Sequence, residues 1–134
     1  MLGRDGGVRT MVIGFPLVIK KKEIKPATIV LELTGRITMG PDCWQIEKEI
    51  GQLLQENQKH IILDLSGISM IDSTGIGQIV KCLCKLKNAG GSLRLAGLKG
   101  MVDGVFKITK VDQVIGIYPT ALEAAASSPP EAQD

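Results

Sequence analysis

Aromatic side chains are scarce in this chain. One Trp, one Tyr and two Phe make up 3% of 134 residues. The interior must be assembled from Ile, Leu, Val and Ala, and there are too few stacking platforms for a single-strand nucleic-acid binder. A charge imbalance is missing as well: the formal net charge of +2 is too small to imply a nucleic-acid partner. The densest basic spot, Lys20, Lys21 and Lys22 with Lys25, reads as the solvated end of an edge strand, where Lys discourages edge-to-edge pairing. Cysteine is limited to Cys43, Cys82 and Cys84, an odd count without framework spacing, which argues against a secreted disulfide scaffold. Cys82 and Cys84 stand two positions apart on a predicted helix, so their side chains diverge and share no metal. No long hydrophobic run exists. The stretch 11–19 is too short to span a bilayer and is broken by Pro16, and no small-residue cleavage pattern follows it. The expectation is a cytoplasmic protein without direct membrane insertion, metal or cofactor.

Hydrophobic residues make up 44% of the chain and charged residues 22%, enough for one domain with a substantial core. Residues 1–16 are expected to be a loose leader, 17–126 the domain and 127–134 a disordered tail. Strands are predicted at 17–22 and 27–34, paired in a hairpin around Pro26. A helix follows, opened by Pro41 and capped by Asp42 with Gln45 as capping-box partner. Ile46, Ile50, Leu53 and Leu54 form its apolar stripe, and Trp44 in its first turn is assigned to packing. The apolar run 61–65 suits a central strand. Ile76, Ile79, Val80, Leu83 and Leu86 mark a helix over 74–88 that ends at Gly90-Gly91. A strand at 92–96 carries Leu93 and Leu95 on one face and Arg94 on the other. A short helix at 101–108, a strand at 114–117 and a helix beginning at Pro119-Thr120 complete the order. After the hairpin, the alternation of strand and helix demands parallel crossovers. The fold class is therefore α/β, a mixed sheet of four to five strands. Right-handed crossovers put the helices mainly on one face if the strand order runs steadily outward.

The chemistry-bearing motifs are mostly excluded. His60 has no second base or carboxylate at triad or ligand spacing. Ser73 lacks the G-x-S-x-G elbow. Gly35 and Gly40 have P-loop spacing, but Pro41 stands where Lys is needed, and Gly75-Ile76-Gly77 is only a fragment of a dinucleotide fingerprint. What remains is Asp72-Ser73-Thr74-Gly75 at the start of a helix, where unpaired N–H groups and the positive end of the helix dipole suit an anion. The plain alternative is that Ser73 only caps the helix. Gly75 and Gly77 weaken the first turns and keep the surface low, so that another protein can reach the Ser73 hydroxyl; Thr74 offers a second one.

The stretch Ile-Ile-Leu-Asp-Leu-Ser-Gly-Ile-Ser-Met-Ile-Asp-Ser-Thr-Gly-Ile-Gly, beginning at Ile61, resembles the signature of the STAS domain of bacterial anti-sigma factor antagonists. The likeness runs over 29–126 and includes Leu33-Thr34-Gly35, Asn88-Ala89-Gly90-Gly91 and Phe106-Lys107-Ile108-Thr109. It implies a non-enzymatic protein that binds an ATP-using anti-sigma factor/serine kinase. The kinase would phosphorylate Ser73, with Thr74 as secondary acceptor, and a serine phosphatase would reset it. The partner surface it implies comprises Arg36, Thr38, Ser69, Asp72, Ser73, Thr74, Gly75 and Gly77. The family often carries Gly-Glu-hydrophobic-Asp after the second strand; here Gly35-Arg36-Ile37-Thr38 reverses one charge and removes the other. Lys110 stands where a glycine is common. The alternative within the family is a constitutive scaffold or lipid-transport accessory module without a phosphorylation switch.

Overall fold

In the computed structural model, the described residues are 9–12, 17–25 and 28–127. They form strands β1 (Arg9–Val12), β2 (Leu17–Lys25), β3 (Thr28–Ile37), β4 (His60–Ile71), β5 (Ser92–Ala96) and β6 (Gly116–Tyr118). The helices are α1 (Pro41–Gln55), α2 (Ser73–Asn88), α3 (Gly100–Ile108) and α4 (Ala121–Ala126), with a short 3-10 turn at Val111–Gln113. The strands lie side by side in chain order. β1/β2 and β2/β3 pair antiparallel, whereas β3/β4, β4/β5 and β5/β6 pair parallel. The sheet is therefore mixed, and its order runs steadily outward, the condition under which right-handed crossovers share a face.

β2–β6 are the strands given by the sequence pattern, and β1 adds a sixth within the segment expected to be a loose leader. The reason is physical: β2 offers a second edge of unpaired backbone groups, and Arg9–Val12 satisfies it. The Lys cluster consequently does not guard a sheet edge. Lys21 is buried and forms a 3.3 Å ion pair with Glu49 of α1, while Lys22 pairs with Glu32 on β3 at 3.2 Å. The turn at Pro26, the remainder of the leader and residues 128–134 lie outside the described residues.

The period-two alternation of the strands sorts their side chains onto two faces. Ile29, Leu31 and Leu33 of β3, Ile61, Leu63 and Leu65 of β4, and Leu93 and Leu95 of β5 face the larger core. There they meet Ile46, Ile50 and Leu53 of α1, Ile79, Cys82 and Leu86 of α2, and Val102 and Phe106 of α3. The opposite face holds a smaller cluster in which Val30, Ile62 and Ala96 pack against Ala124 and Ala125 of α4. Arg94 belongs to this second face, as its alternation with Leu93 and Leu95 requires. It is buried, and its Nη1 donates to the carbonyls of Ala124 and Ser127 and to Ser127 Oγ, the last two at 2.8 and 3.0 Å. A cation is thus placed on the C-terminal carbonyls of α4, where the helix dipole favours it.

Several boundaries differ from the sequence reading. α1 starts at Pro41 with Gly40 as its N-cap, not Asp42; a proline needs no N–H at the first helical position. Trp44 is 59% exposed and so does not pack in the core. The last strand is Gly116–Tyr118 rather than 114–117, because Val111–Gln113 winds into the 3-10 turn first. That turn is entered through Lys110, whose φ of 63° is left-handed, a conformation that favours glycine. α4 is capped by Thr120, whose Oγ1 accepts from Glu123 N–H at 3.1 Å, with Pro119 just outside the helix.

Candidate functional site

The largest local departure from the sequence reading builds the site. Between the apolar run 61–65 and the helix at 74 the sequence reads as a short loop, yet Ser66–Ile71 belongs to β4. β3 has 10 residues and β4 has 12. The two extra residues are absorbed by register shifts, one between the pairs Glu32↔Asp64 and Thr34↔Gly67, the other between Gly35↔Ile68 and Arg36↔Met70. Each is a bulge on β4, and a bulge re-aims the side chains beyond it. Ser69 is the extra residue of the second bulge. Its Oγ donates to the Gly35 carbonyl at 3.3 Å, and Gly35 itself has φ of 120°, which a side chain would strain. The bulges turn Ser69 and Met70 outward and return Ile71 to the core.

β3 and β4 end together. The Asp72 N–H donates to the Ile37 carbonyl at 3.3 Å, so α2 starts directly at the carboxyl ends of two parallel strands, the usual location of binding sites in such sheets. Asp72 is the N-cap. Its Oδ1 accepts from the Gly75 N–H at 2.8 Å, its Oδ2 accepts from the Met39 N–H at 2.8 Å, and its carbonyl accepts from the Ile76 N–H at 2.9 Å. One carboxylate thereby closes the helix start and staples the segment leaving β3 to it. Partial burial acts to raise the Asp72 pKa. The N–H groups of Gly75, Met39, Thr74 and Asp72 itself outweigh that effect and hold the carboxyl below its ordinary range.

Because Asp72 is the cap, Ser73 is not. Ser73 is the first helical residue and is exposed. Thr74 beside it is half-buried. Gly75 is buried, and its role is packing: a Cβ there would lie 2.3 Å from the Ile37 carbonyl oxygen and 2.9 Å from Ile37 Cγ2 and Ile71 Cγ1. Gly77 is exposed with no atom within 4 Å of where a Cβ would stand, so only Gly77 serves to keep the surface low. Ser69 and Arg36 are exposed, Thr38 is half-buried between Ile37 and Met39, and Arg36 lies opposite Met70 in the ladder.

Two residues of this face escape the sequence reading. Met39 is 74% exposed and Met70 39%. Met39 is held by a backbone N–H, which leaves no trace in side-chain identity; Met70 is turned outward by the bulges, which no local period announces. His60 is at the far end of β4, about 35 Å from Ser73 at ~3.3 Å per residue, and its Nδ1 is 2.9 Å from Ser92 Oγ. It serves no triad with Ser73. Among the described residues no three His, Cys, Asp or Glu side chains gather at a metal-binding distance, and no helix is long and apolar enough to cross a membrane.

A profile of the STAS domain matches residues 19–124. A candidate anti-sigma factor antagonist of Thermotoga neapolitana is 34% identical over 73 residues, covering 54% of this chain and 65% of that protein. The match therefore spans a little under two thirds of the relative's length. Among solved structures, a candidate anti-sigma factor antagonist from Thermotoga maritima superposes with a TM-score of 0.65 at 25% identity, over 83% of this chain and 91% of the other. An anti-sigma factor antagonist from Mycobacterium paratuberculosis reaches a TM-score of 0.72 over 86% and 96%; its 19% identity shows shared fold alone. The profile match extends from β2 through α4 and contains the bulged strand, the Asp72 cap and the exposed serine: this chain belongs to the STAS domain family.

Proposed function

We propose that this chain is an anti-sigma factor antagonist, a protein-binding switch that holds an anti-sigma factor/serine kinase while Ser73 is unmodified. The observation that carries this reading is the division of labour at the start of α2. Asp72 supplies the cap, so the exposed Ser73 hydroxyl has no structural task that modification would disturb. The kinase transfers the γ-phosphoryl group of ATP to Ser73 Oγ: the Oγ–P bond forms, the bond to the β-phosphate oxygen breaks, ADP leaves and the hydroxyl proton passes to a base of the kinase. A serine phosphatase reverses the modification by hydrolysis. Thr74, half-buried, is the secondary acceptor.

The added group carries about −1.5 to −2 charge. The N-terminus of α2 accommodates it in the isolated protein. Against a partner docked over Arg36, Thr38, Ser69 and Ser73, the same group introduces bulk and buries a charge, and each ~1.4 kcal/mol of that penalty weakens binding tenfold. In this reading the site binds rather than catalyses, on a face shaped by outward side chains of two strand ends. A cytoplasmic location accords with this role.

The test is phosphoryl transfer from labelled ATP by the cognate kinase, followed by peptide mapping. Label should appear on the Ser73 peptide and disappear in Ser73→Ala, with Thr74→Ala labelled nearly as wild type; full labelling of Ser73→Ala refutes the assignment. Arg36 and Thr38 favour a second reading, a constitutive scaffold or lipid-transport accessory module, since they replace carboxylates that the family often carries there. The two readings part in a pull-down. The switch predicts partner recovery with Ser73→Ala and loss of about tenfold or more with Ser73→Asp, whereas the scaffold predicts equal recovery.

A further inference from the structure

A groove of about 530 Å³ lies between α1 and α2, lined by Trp44, Glu47, Gly51 and Gln55 on one side and Lys85 on the other. None of its lining residues belongs to the Ser73 face. Two features of it have no explanation within the fold, and a third bears on what it would hold. Trp44, the chain's single tryptophan, is 59% exposed, although a tryptophan is among the most valuable core residues for a chain so poor in aromatics. Gly51 sits in the interior of α1, where glycine is a weak helix former. Yet a Cβ at Gly51 would meet nothing closer than Lys85 Nζ at 4.0 Å, so no intramolecular contact requires its absence. Finally, the rim carries surplus positive charge. Lys81 and Lys85 both converge on the single carboxylate of Glu47, at 3.8 and 3.3 Å, and Lys48 adds a third cation.

We infer that this groove is a second docking surface, independent of Ser73, for an acidic amphipathic helix of a partner protein. Trp44, Glu47, Gly51 and Gln55 follow one another at three- and four-residue intervals, one stripe along α1 about 16 Å long at ~1.5 Å per residue. That is the length of three turns of an incoming helix. Gly51 at its middle lets a second backbone approach, Trp44 supplies an aromatic anchor of the kind that dominates interfaces, and the apolar face of an incoming helix packs on Trp44 and the aliphatic stems of the Lys and Gln side chains that line the rest of the groove. The partner's flanking carboxylates pair with Lys48, Lys81 and Lys85, which sets the sign of the partner and its orientation. A nucleic acid fits less well, because one tryptophan offers a single stacking platform and the chain's net charge is only +2.

The experiment uses the full chain, with Trp44 emission as reporter. The probe is a synthetic three-turn helical peptide with Leu along one face and Glu along the other; a matched peptide carries Lys in place of Glu. The expected result is a saturable blue shift with the Glu peptide, weakened about tenfold on raising salt from about 50 to about 500 mM, and none with the Lys peptide. Gly51→Gln places a better helix former in open space, so the variant should melt no lower than wild type while losing about tenfold or more in affinity. Ser73→Asp should bind the peptide as wild type does, which separates this surface from the phosphorylation reading. The inference is overturned by no saturable shift, by equal binding of the Lys peptide, by unchanged affinity in Gly51→Gln, or by an oligodeoxynucleotide binding in preference to the Glu peptide.

Discussion

Asp72 organises the site through four backbone contacts: it caps α2, binds the Met39 N–H, returns its own N–H to Ile37 and accepts from Ile76 through its carbonyl. Replacing it with Ala should cost about 1 kcal/mol of stability at neutral pH, within the range of lost N-caps. Its folded pKa lies below the value near 3.9 of an unperturbed Asp. Its contribution is therefore fully present above that value and is lost as the pH falls through the lower folded pKa. Urea unfolding followed from about pH 6 to about pH 2 should show wild type converging on Asp72→Asn only at the acid end; parallel curves would contradict the assignment. Gly75 and Gly77 make a contrasting pair two residues apart. Gly75→Ala must displace backbone at Ile37 and should destabilise by about 1–3 kcal/mol. Gly77→Ala enters open space and should stabilise by up to about 1 kcal/mol, and thermal melts of the two should move in opposite directions.

At the scale of elements, the crossings between layers rest on a few buried polar side chains. Lys21 and Glu49 join β2 to α1 within the core. Removing one partner strands the other charge and should cost about 3–5 kcal/mol, whereas Lys21→Met combined with Glu49→Leu should be close to neutral. Denaturant midpoints for the two singles and the double decide this; an additive double would show that the pair is not coupled. Arg94 holds α4 in the same manner, through the carbonyls at its C-terminal end. The apolar contribution of α4 is small, since Ala124 and Ala125 are its buried residues. The left-handed Lys110 offers a gain instead: Lys110→Gly relieves a conformation that disfavours a side chain and should stabilise by about 0.5–1 kcal/mol.

For the whole molecule, the sheet separates two tasks. Its main face carries α1, α2 and α3 over the large core and presents the Ser73 surface where β3 and β4 end. The outward side of α1 and α2 presents the groove of Trp44 and Lys85. If Ser73 is the phosphoryl acceptor and the groove a docking surface, as proposed, a partner can be held at one while the other is modified. Reconstituted complexes of the cognate kinase with Ser73→Asp should therefore lose the Ser73 contact without any change in the fold, read as an unaltered far-ultraviolet circular dichroism spectrum beside weakened binding.

The alternation of apolar strands with helical stripes, the Gly-punctuated ends and the Asp-Ser-Thr-Gly run are local patterns, and they sufficed to indicate a mixed α/β sheet with helices mainly on one face. Arg94 could be placed on the second face because a strand permits only two orientations. Other features depended on partners distant in sequence. β4 continues through Ser66–Ile71 because β3 pairs with it across two bulges, and no local period announces a bulge. Lys21 is buried because Glu49 lies above it, and β1 exists because β2 has a second edge. Asp72 caps α2 through the local Gly75 N–H, but its second oxygen meets the Met39 N–H only because the chain leaving β3 ends beside the start of α2. Local propensity is written residue by residue, but a hydrogen bond between chain segments thirty residues apart is decided only when the sheet assembles.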